Sequence, residues 1–423
     1  MIDHTLWVER LSLTNFRNYP SLTLETLPQP QVIAGANGSG KTNLLEALSL
    51  LSPGQGMRRA PFNEIPRAAG DGGFAVAARA HTLNGPADIG TGLRPRAAGG
   101  GGPAAYSGGA DDGLDADDDA TGAPSDAEAR RGSRGGRQGS ATARIVRIDG
   151  VQQSGSGVLA DYLEIVWLTP AMDGLFTGSG GERRRFLDRL ILCFDPAYRT
   201  LAGRFERAMT SRNRLLADGV RDNAQLAGFE LVMAETGIAV AAARLEAVSA
   251  MARIIEARRE RDPNSAFPWG QLALEGSIEE SLAAMPALEA EDSYARTLRT
   301  TRERDRGAGR TLDGPHRSDL IVMHGPKQIA ARLCSTGEQK ALLIGLVLAH
   351  AELLTARQEG AAPILLLDEI TAHLDRHRRS ALFDEIIRLK AQAWMTGTDL
   401  SAFEDLTGRA QFWAVDEGSV RQA

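Results

Sequence analysis

The sequence predicts an α/β fold: a phosphate-loop head split into two lobes, with a helical subdomain inserted between them. Three observations predict it. A strand, glycine loop and helix occupy 31–51, and the loop reads G-x-x-x-x-G-K-T. An apolar strand ending in two adjacent carboxylates lies at 363–369. Between these stretches, 196–260 carries apolar residues at helical spacing almost without interruption.

The glycine loop is Gly35-Ala36-Asn37-Gly38-Ser39-Gly40-Lys41-Thr42. Gln31-Val32-Ile33-Ala34 before it reads as a strand, and Leu44, Leu45, Ala47, Leu48 and Leu51 after it recur with helical period. Glycines let the backbone wrap an anion, because no Cβ needs clearance. Backbone N–H groups at the helix start then face the β- and γ-phosphates of a nucleoside triphosphate. Lys41 adds a point charge, and the Thr42 hydroxyl is placed to bind Mg²⁺. A nucleoside triphosphate with Mg²⁺ is therefore the expected ligand pair.

The 423 residues allow two or three domains, and 43% are apolar. No apolar run is read as reaching the roughly 18 residues that span a bilayer. Met1-Ile2-Asp3-His4 lacks a signal-peptide pattern, so a cytoplasmic location without membrane attachment is expected. Cys193 and Cys334 lie far apart, which suits a reducing compartment and offers no metal-ligand spacing. The net charge of −6 means that any nucleic-acid contact needs a local basic patch.

Residues 6–34 read as strands, with Trp7, Leu11 and Leu13, then Leu22 and Leu24, alternating with polar positions. The turn between them, Thr14 to Tyr19, holds Arg17, either solvated at a hairpin corner or near the nucleotide. Residues 94–144 are rich in Gly, Ala, Asp and Arg, with an acidic half from Asp111 to Glu128 and a basic half from Arg130 to Arg144. Such a stretch buries too little apolar surface to offset its ordering entropy, so a disordered insertion is expected. Ala143–Gly150 and Ile165–Leu168 read as strands.

Phe186, Leu187, Leu190 and Ile191 mark a helix whose first turn carries Arg183, Arg184 and Arg185. Cations are disfavoured at the positive end of a helix dipole, which argues for an anion there. One helical stripe holds Tyr198, Leu201, Phe205, Met209, Leu215 and Leu216; another holds Ile238, Leu245, Val248, Met251 and Ile255. These are read either as a packed subdomain or as a short projecting arm, stopped by Asp262-Pro263. A strand around Leu272 and Leu274 and a helix from Ile278 follow, and then six arginines at 296, 299, 302, 304, 306 and 310 suggest an exposed basic patch.

Ser335-Thr336-Gly337-Glu338-Gln339 precedes an apolar helix. Gly337 offers backbone N–H at a helix start and Ser335 a hydroxyl donor, so this is a second anion site; it is also an ordinary capping box. The strand at 363–369 ends in Asp368, expected in the Mg²⁺ shell, and Glu369, expected to deprotonate the attacking water.

Ser-x-Gly-x-Gln, the Asp-Glu strand and the turn Thr371 to Asp375 resemble the signature loop, Walker B strand and D-loop of ABC-type ATPases. The split head resembles the SMC, Rad50 and RecF group, with an insertion too short for the long coiled coils of SMC or Rad50 proteins. Leu13–Asn18, Gly35–Thr42, Leu168-Thr169-Pro170, Arg184–Asp188, Asp313–Asp319 and Thr396–Asp399 narrow the resemblance to the RecF family, over nearly the whole chain except 94–144. The sequence departs from that pattern at Ala171-Met172-Asp173, where the family carries an acidic pair right after the proline, and Asp173 is the substitute on offer. Thr398 stands where transporter ATPases carry a switch histidine.

The resemblance implies lobe I at 1–180, a helical arm subdomain at 181–310 and lobe II at 311–423. It implies an ATP-dependent protein of recombinational repair, replication restart and the SOS response. Such a protein turns ATP over slowly and dimerises around single-stranded or gapped DNA. Ser335, Gly337, Gln339 and Asp375 would then meet the nucleotide held by Lys41 of another copy, and RecR, with RecO, would be the protein partners. The alternatives are an SMC-like or Rad50-like head of another repair complex and a transporter-associated ATPase.

Overall fold

Parallel strands buried on both faces form the centre of the head. A computed structural model describes residues 5–95, 144–219 and 222–423. Most of the expected insertion at 94–144 lies outside the described residues. In chain order the first elements are β1 (Trp7–Phe16), β2 (Tyr19–Glu25), β3 (Gln31–Ala34), α1 (Lys41–Ser49), β4 (Phe74–Thr82), β5 (Gly85–Leu93), β6 (Ile145–Ile148), β7 (Val151–Gln152) and β8 (Ile165–Leu168). The helical stretch follows as α2 (Gly180–Leu192), α3 (Pro196–Ala217) and α4 (Asn223–Arg261). Then come β9 (Gly270–Glu275), α5 (Ser277–Ala284), α6 (Ala287–Thr300) and α7 (Arg302–Ala308). The last part holds β10 (Asp319–His324), β11 (Ile329–Ala330), α8 (Thr336–Arg357), β12 (Ile364–Leu367), α9 (Arg376–Leu389), β13 (Ala393–Gly397), β14 (Gln411–Asp416) and β15 (Ser419–Gln422).

The central sheet runs β15-β14-β3-β13-β12-β8 and draws strands from both ends of the chain. Its four pairings from β14 to β8 are parallel, and β15 closes the edge antiparallel to β14. All residues of β3, β8, β12 and β13 are buried. A second sheet, β2-β1-β4-β5-β6-β7, is antiparallel throughout. A small third sheet pairs β9 and β11 with β10.

The hairpin β1–β2 lies in the second sheet, apart from β3. The alternation in β1 also changes phase. Register shifts between Val8 and Arg10, so Val8, Leu11 and Leu13 face the core while Trp7 stacks on His81 outside it. Arg144, placed at the end of the expected insertion, lies among the described residues. Its guanidinium donates to Thr91 Oγ1 at 2.7 Å and to the Gly54, Leu50 and Ser52 carbonyls, tying the start of β6 to the end of α1.

α3 and α4 pack side by side, and α4 supplies two cores at once. Met233, Ala234 and Ile238 join Phe205, Met209, Tyr294 and Leu298 in a helical core, whereas Val248, Met251 and Ile255 join the main core with α8. At 39 residues α4 is roughly 58 Å long at 1.5 Å per residue. Its C-terminal half is packed into the head and its N-terminal half against α3 and α6.

α4 and α8 are both long and apolar enough, by length and composition, to cross a membrane, which corrects the expectation that no such stretch exists. Here α8 packs against the central sheet, and 78% of its apolar window is buried inside the protein, against 50% for α4.

Buried polar groups pin the helical region. Arg212, fully buried, donates to Glu230 (3.1 Å), Asp305 (2.8 Å), Thr311 Oγ1 (2.9 Å) and Leu298 O (2.6 Å). Arg244 binds Asp188 through two nitrogens at 2.8 Å and donates to Pro315 O at 2.5 Å. Arg183 binds Asp319 through two nitrogens, at 2.8 and 2.7 Å, and Arg184 donates to Ser318 O at 2.6 Å. The segments 183–188 and 313–319 are thereby clasped together.

Glu164, just before β8, has one carboxylate oxygen buried without a hydrogen-bond partner. Burial pushes its pKa up to about 8. The folded value lies above the unfolded one, so this group favours the fold at low pH and costs stability as pH rises towards 8. Glu164→Gln is expected to stabilise the protein at pH 8 by roughly 1–3 kcal/mol and to change little at pH 4.5, read from urea midpoints at both values.

Candidate functional site

The sheet order explains the site. β3 delivers the glycine loop and β12 delivers Asp368-Glu369, but β13 lies between them, pairing Thr396 with Ile33 and Met395 with Leu367. The C-terminal ends of all three strands point the same way, as ligand sites of parallel sheets require. Thr42 Oγ1 donates to Asp368 Oδ1 at 3.0 Å, and Thr396 Oγ1 donates to the same oxygen at 2.7 Å. Glu369 N donates to Thr396 Oγ1 at 2.8 Å. Thr396 thus bridges the two carboxylate positions. Only the strand order reveals this, because in the sequence Thr396 is one residue of a buried strand.

Glu369 has φ of 47°, a strained conformation for a residue with a Cβ. Such outliers cluster at functional sites. Its carboxylate makes no hydrogen bond among the described residues.

Lys41 Nζ donates to Gly35 O at 2.7 Å and Ala36 O at 2.8 Å. Burial lowers its pKa, while the negative fields of Glu369 and Asp368 oppose that shift. Ser39 Oγ is buried with no hydrogen-bond partner, a donor poised within the loop. Gly40 has φ of 116°, and a Cβ there would meet Asn18 Nδ2 at 2.4 Å and the Tyr19 hydroxyl at 2.7 Å. These features suit a loop that wraps an anion, and Thr42 with Asp368 offers the oxygen pair a hard cation prefers.

The turn at Thr14–Tyr19 braces the loop. Asn18 Nδ2 donates to Ser39 O (3.1 Å), Tyr19 donates to Gly40 O (3.0 Å), and Asn43 donates to Asn18 Oδ1 (2.7 Å). Arg17 is neither solvated nor placed on the glycine loop. It forks onto Glu46 of α1 at 2.9 and 2.5 Å, with Arg58 on the same carboxylate at 3.1 Å. Glu46 is buried; a charged residue inside the apolar stripe of α1 was the sequence signal for this pairing.

Ser335 caps α8 through a capping box with Glu338, and Gln339 Nε2 donates to Cys334 O at 2.8 Å. Lys327 and the Ser335 N–H hold the Glu338 carboxyl down at about 2. Gly337 O accepts from Arg378, and Asp375 caps α9 by accepting from Arg378 N at 2.8 Å. None of Ser335, Gly337, Gln339 or Asp375 hydrogen-bonds to Gly35–Thr42, Asp368 or Glu369 among the described residues. Asp173 reaches Lys340 at 3.3 Å and not Thr42 or Asp368, so it ties its loop to α8. Thr398 is exposed beyond the end of β13.

The comparisons with known proteins agree with this architecture. A family model described as an AAA domain matches residues 10–72. The DNA replication and repair protein RecF of Mesorhizobium japonicum is 47% identical, over 98% of this chain and 97% of that protein. Its namesake in Brucella suis is 48% identical, over 98% and 95%. The chain belongs to the RecF family of DNA replication and repair proteins. Among solved structures, a recombination mediator protein RecF shares the fold with a TM-score of 0.78 at 19% identity, covering 99% of this chain and 98% of that one. An Smc head domain from Pyrococcus furiosus matches at a TM-score of 0.51 and 15% identity, covering 99% and 96%. The ABC-type head expected for RecF is the fold observed.

Two expectations for this RecF-family chain change with the structure. α2 starts at Gly180, where Ser179 and Glu182 form a capping box, so its arginines follow the first turn. Arg183 and Arg184 are committed to Asp319 and Ser318 O, which removes the dipole argument for an anion at both. The arginines at 296–310 do not form one free patch either. Arg302 binds Glu230, Arg304 binds Asp313 and Arg306 binds Glu303, whereas Arg296, Arg299 and Arg310 are exposed.

Proposed function

We propose that the chain is an ATP-switched DNA clamp of recombinational repair. The observation that carries this reading is the shared oxygen of Asp368, reached by Thr42 from the loop and Thr396 from β13, with Glu369 beside it. In this reading lobe I is 1–180, the helical arm subdomain 181–310 and lobe II 311–423.

Gly35–Thr42 would hold the β- and γ-phosphates by backbone N–H groups and Lys41. Thr42 and Asp368 would hold Mg²⁺, which neutralises charge on the phosphates during transfer. Glu369 would accept a proton from the attacking water, because its carboxylate makes no hydrogen bond among the described residues and its charge acts on Lys41. Ser335 and Gly337 lie outside this cluster, at the N-terminus of α8. They would complete the γ-phosphate site of a second copy, so turnover in a monomer is slow. ATP then acts as a ligand shared by two protomers, and hydrolysis separates them. DNA, single-stranded or gapped, would be held mostly through its phosphates, with RecR as protein partner and the cytoplasm as compartment.

The test measures self-association by light scattering, and DNA binding by anisotropy, with and without ATP and Mg²⁺. The unmodified protein is expected to dimerise only with ATP, and Lys41→Met to remain monomeric. ATP-independent association and DNA affinity in the unmodified protein would end the clamp reading.

A further inference from the structure

We infer that a cleft between α2, α3, α4 and the 310–317 loop is a phosphate-binding site for an unpaired nucleic-acid strand, separate from the glycine loop. Arg184, Arg185, Arg310 and Arg317 line it, over an apolar floor that includes Phe205 and Met209.

The argument rests first on what is left unpaired. In this part of the fold most arginines are spent: Arg183 on Asp319, Arg212 on Glu230 and Asp305, Arg244 on Asp188, Arg302 on Glu230 and Arg304 on Asp313. The guanidiniums of Arg185, Arg310 and Arg317 make no hydrogen bond or ion pair among the described residues, and all three line this cleft. Five arginines border it against two carboxylates, Asp188 and Glu206, and Asp188 is already answered by Arg244. Like charges gathered without counter-ions cost energy unless an anion joins them.

Arg184 shows that cost. Burial lowers its pKa, and the nearby Arg244 and Arg317 add to that shift while Asp188 and Asp319 oppose it. The cleft is also rigid, because Arg244 on Pro315 O and Arg184 on Ser318 O fix the loop that carries Arg317. A preorganised set of guanidinium forks suits phosphate oxygens. The apolar floor suits a base or sugar beside the phosphate, and a groove between helices admits one strand more readily than a duplex.

Arg185 gives the cleft a link to the nucleotide. It also lines the neighbouring cleft that contains Thr42, Thr169, Met172 and Asp368. One unpaired guanidinium therefore stands between the triphosphate site and the arginine cleft. The inference rests on the DNA-holding part of the function proposed above and names where the strand lies.

The test is anisotropy of a labelled, unpaired oligonucleotide with the full chain, across a salt series, with and without ATP. Arg310→Glu with Arg317→Glu is compared with Arg296→Glu with Arg299→Glu, a pair of exposed arginines on α6 with the same charge change. The cleft pair is expected to weaken strand binding at least about tenfold more than the α6 pair. It is also expected to flatten the slope of log affinity against log salt by about 1.4, the value for two lost single-strand phosphate contacts. Arg310→Lys with Arg317→Lys keeps both charges and is expected to bind within about threefold of the parent, which excludes misfolding as the cause.

Equal losses for the two glutamate pairs, or an unchanged salt slope, would overturn the inference. So would a cleft that serves small anions: inorganic phosphate stabilising the parent but not the cleft variant, with strand affinity unaltered. If the parent forms no ATP-dependent dimer, the clamp reading fails on its own, and the salt slope still judges the cleft.

Discussion

Glu369→Gln is expected to lower ATP turnover by at least about a hundredfold, because the substitution removes the only proton acceptor argued to face the attacking water. The amide keeps the size of the side chain, and the backbone N–H that binds Thr396 Oγ1 is untouched. Asp368 keeps both of its hydroxyl partners. Nucleotide affinity should therefore stay within a few-fold of the parent, and ATP-dependent dimers should persist instead of decaying. Phosphate release under saturating ATP, with light scattering followed over the same hours, reads both effects. Turnover within threefold of the parent would remove Glu369 from the role of base. The division of labour follows from environment. Asp368 accepts two hydroxyl hydrogen bonds and is suited to hold a cation, whereas the Glu369 carboxylate is unengaged and half-exposed.

Arg212→Met is expected to cost roughly 3–5 kcal/mol of stability, the range for breaking a buried ion pair from one side. The side chain is fully buried and satisfies Glu230, Asp305, Thr311 and Leu298 O together. Methionine fills much of the space but leaves two buried carboxylates, of which Glu230 keeps Arg302 and Asp305 keeps the exposed Arg304. Adding Asp305→Asn should recover part of the loss, because it removes a buried charge left with only an exposed partner. Urea denaturation of the three proteins measures the cycle. A loss below about 1 kcal/mol for Arg212→Met would show that the network is not a stabilising centre of the helical region.

Much of the fold was readable from the chain because its elements obey local rules. The glycine loop is contiguous, and its chemistry follows from residue types at fixed spacing. The strand ahead of Asp368 is apolar throughout because both its faces are covered. The C-terminal limit of α4 could be read to within a residue or two, since Asp262-Pro263 ends its apolar period. Local rules misled where one residue shifts a phase. The bulge after Val8 turns Trp7 outward, and the capping box at Ser179 moves the start of α2 ahead of its arginines. Charges were the least readable feature. A sequence shows that Arg17, Arg183 and Arg302 are basic, but not that Glu46, Asp319 and Glu230 wait for them.

By itself the sequence determined that the chain carries a phosphate loop, a carboxylate-tipped strand and a helical insertion, because each is a local pattern of period, size and charge. The tertiary structure alone decided that β13 sits between loop and carboxylates, so that Thr396 joins Thr42 on one oxygen of Asp368. It alone decided which arginines are spent on structure and which stay open around one cleft. Strand order and charge pairing depend on contacts between residues far apart in the chain, and no local spacing encodes those.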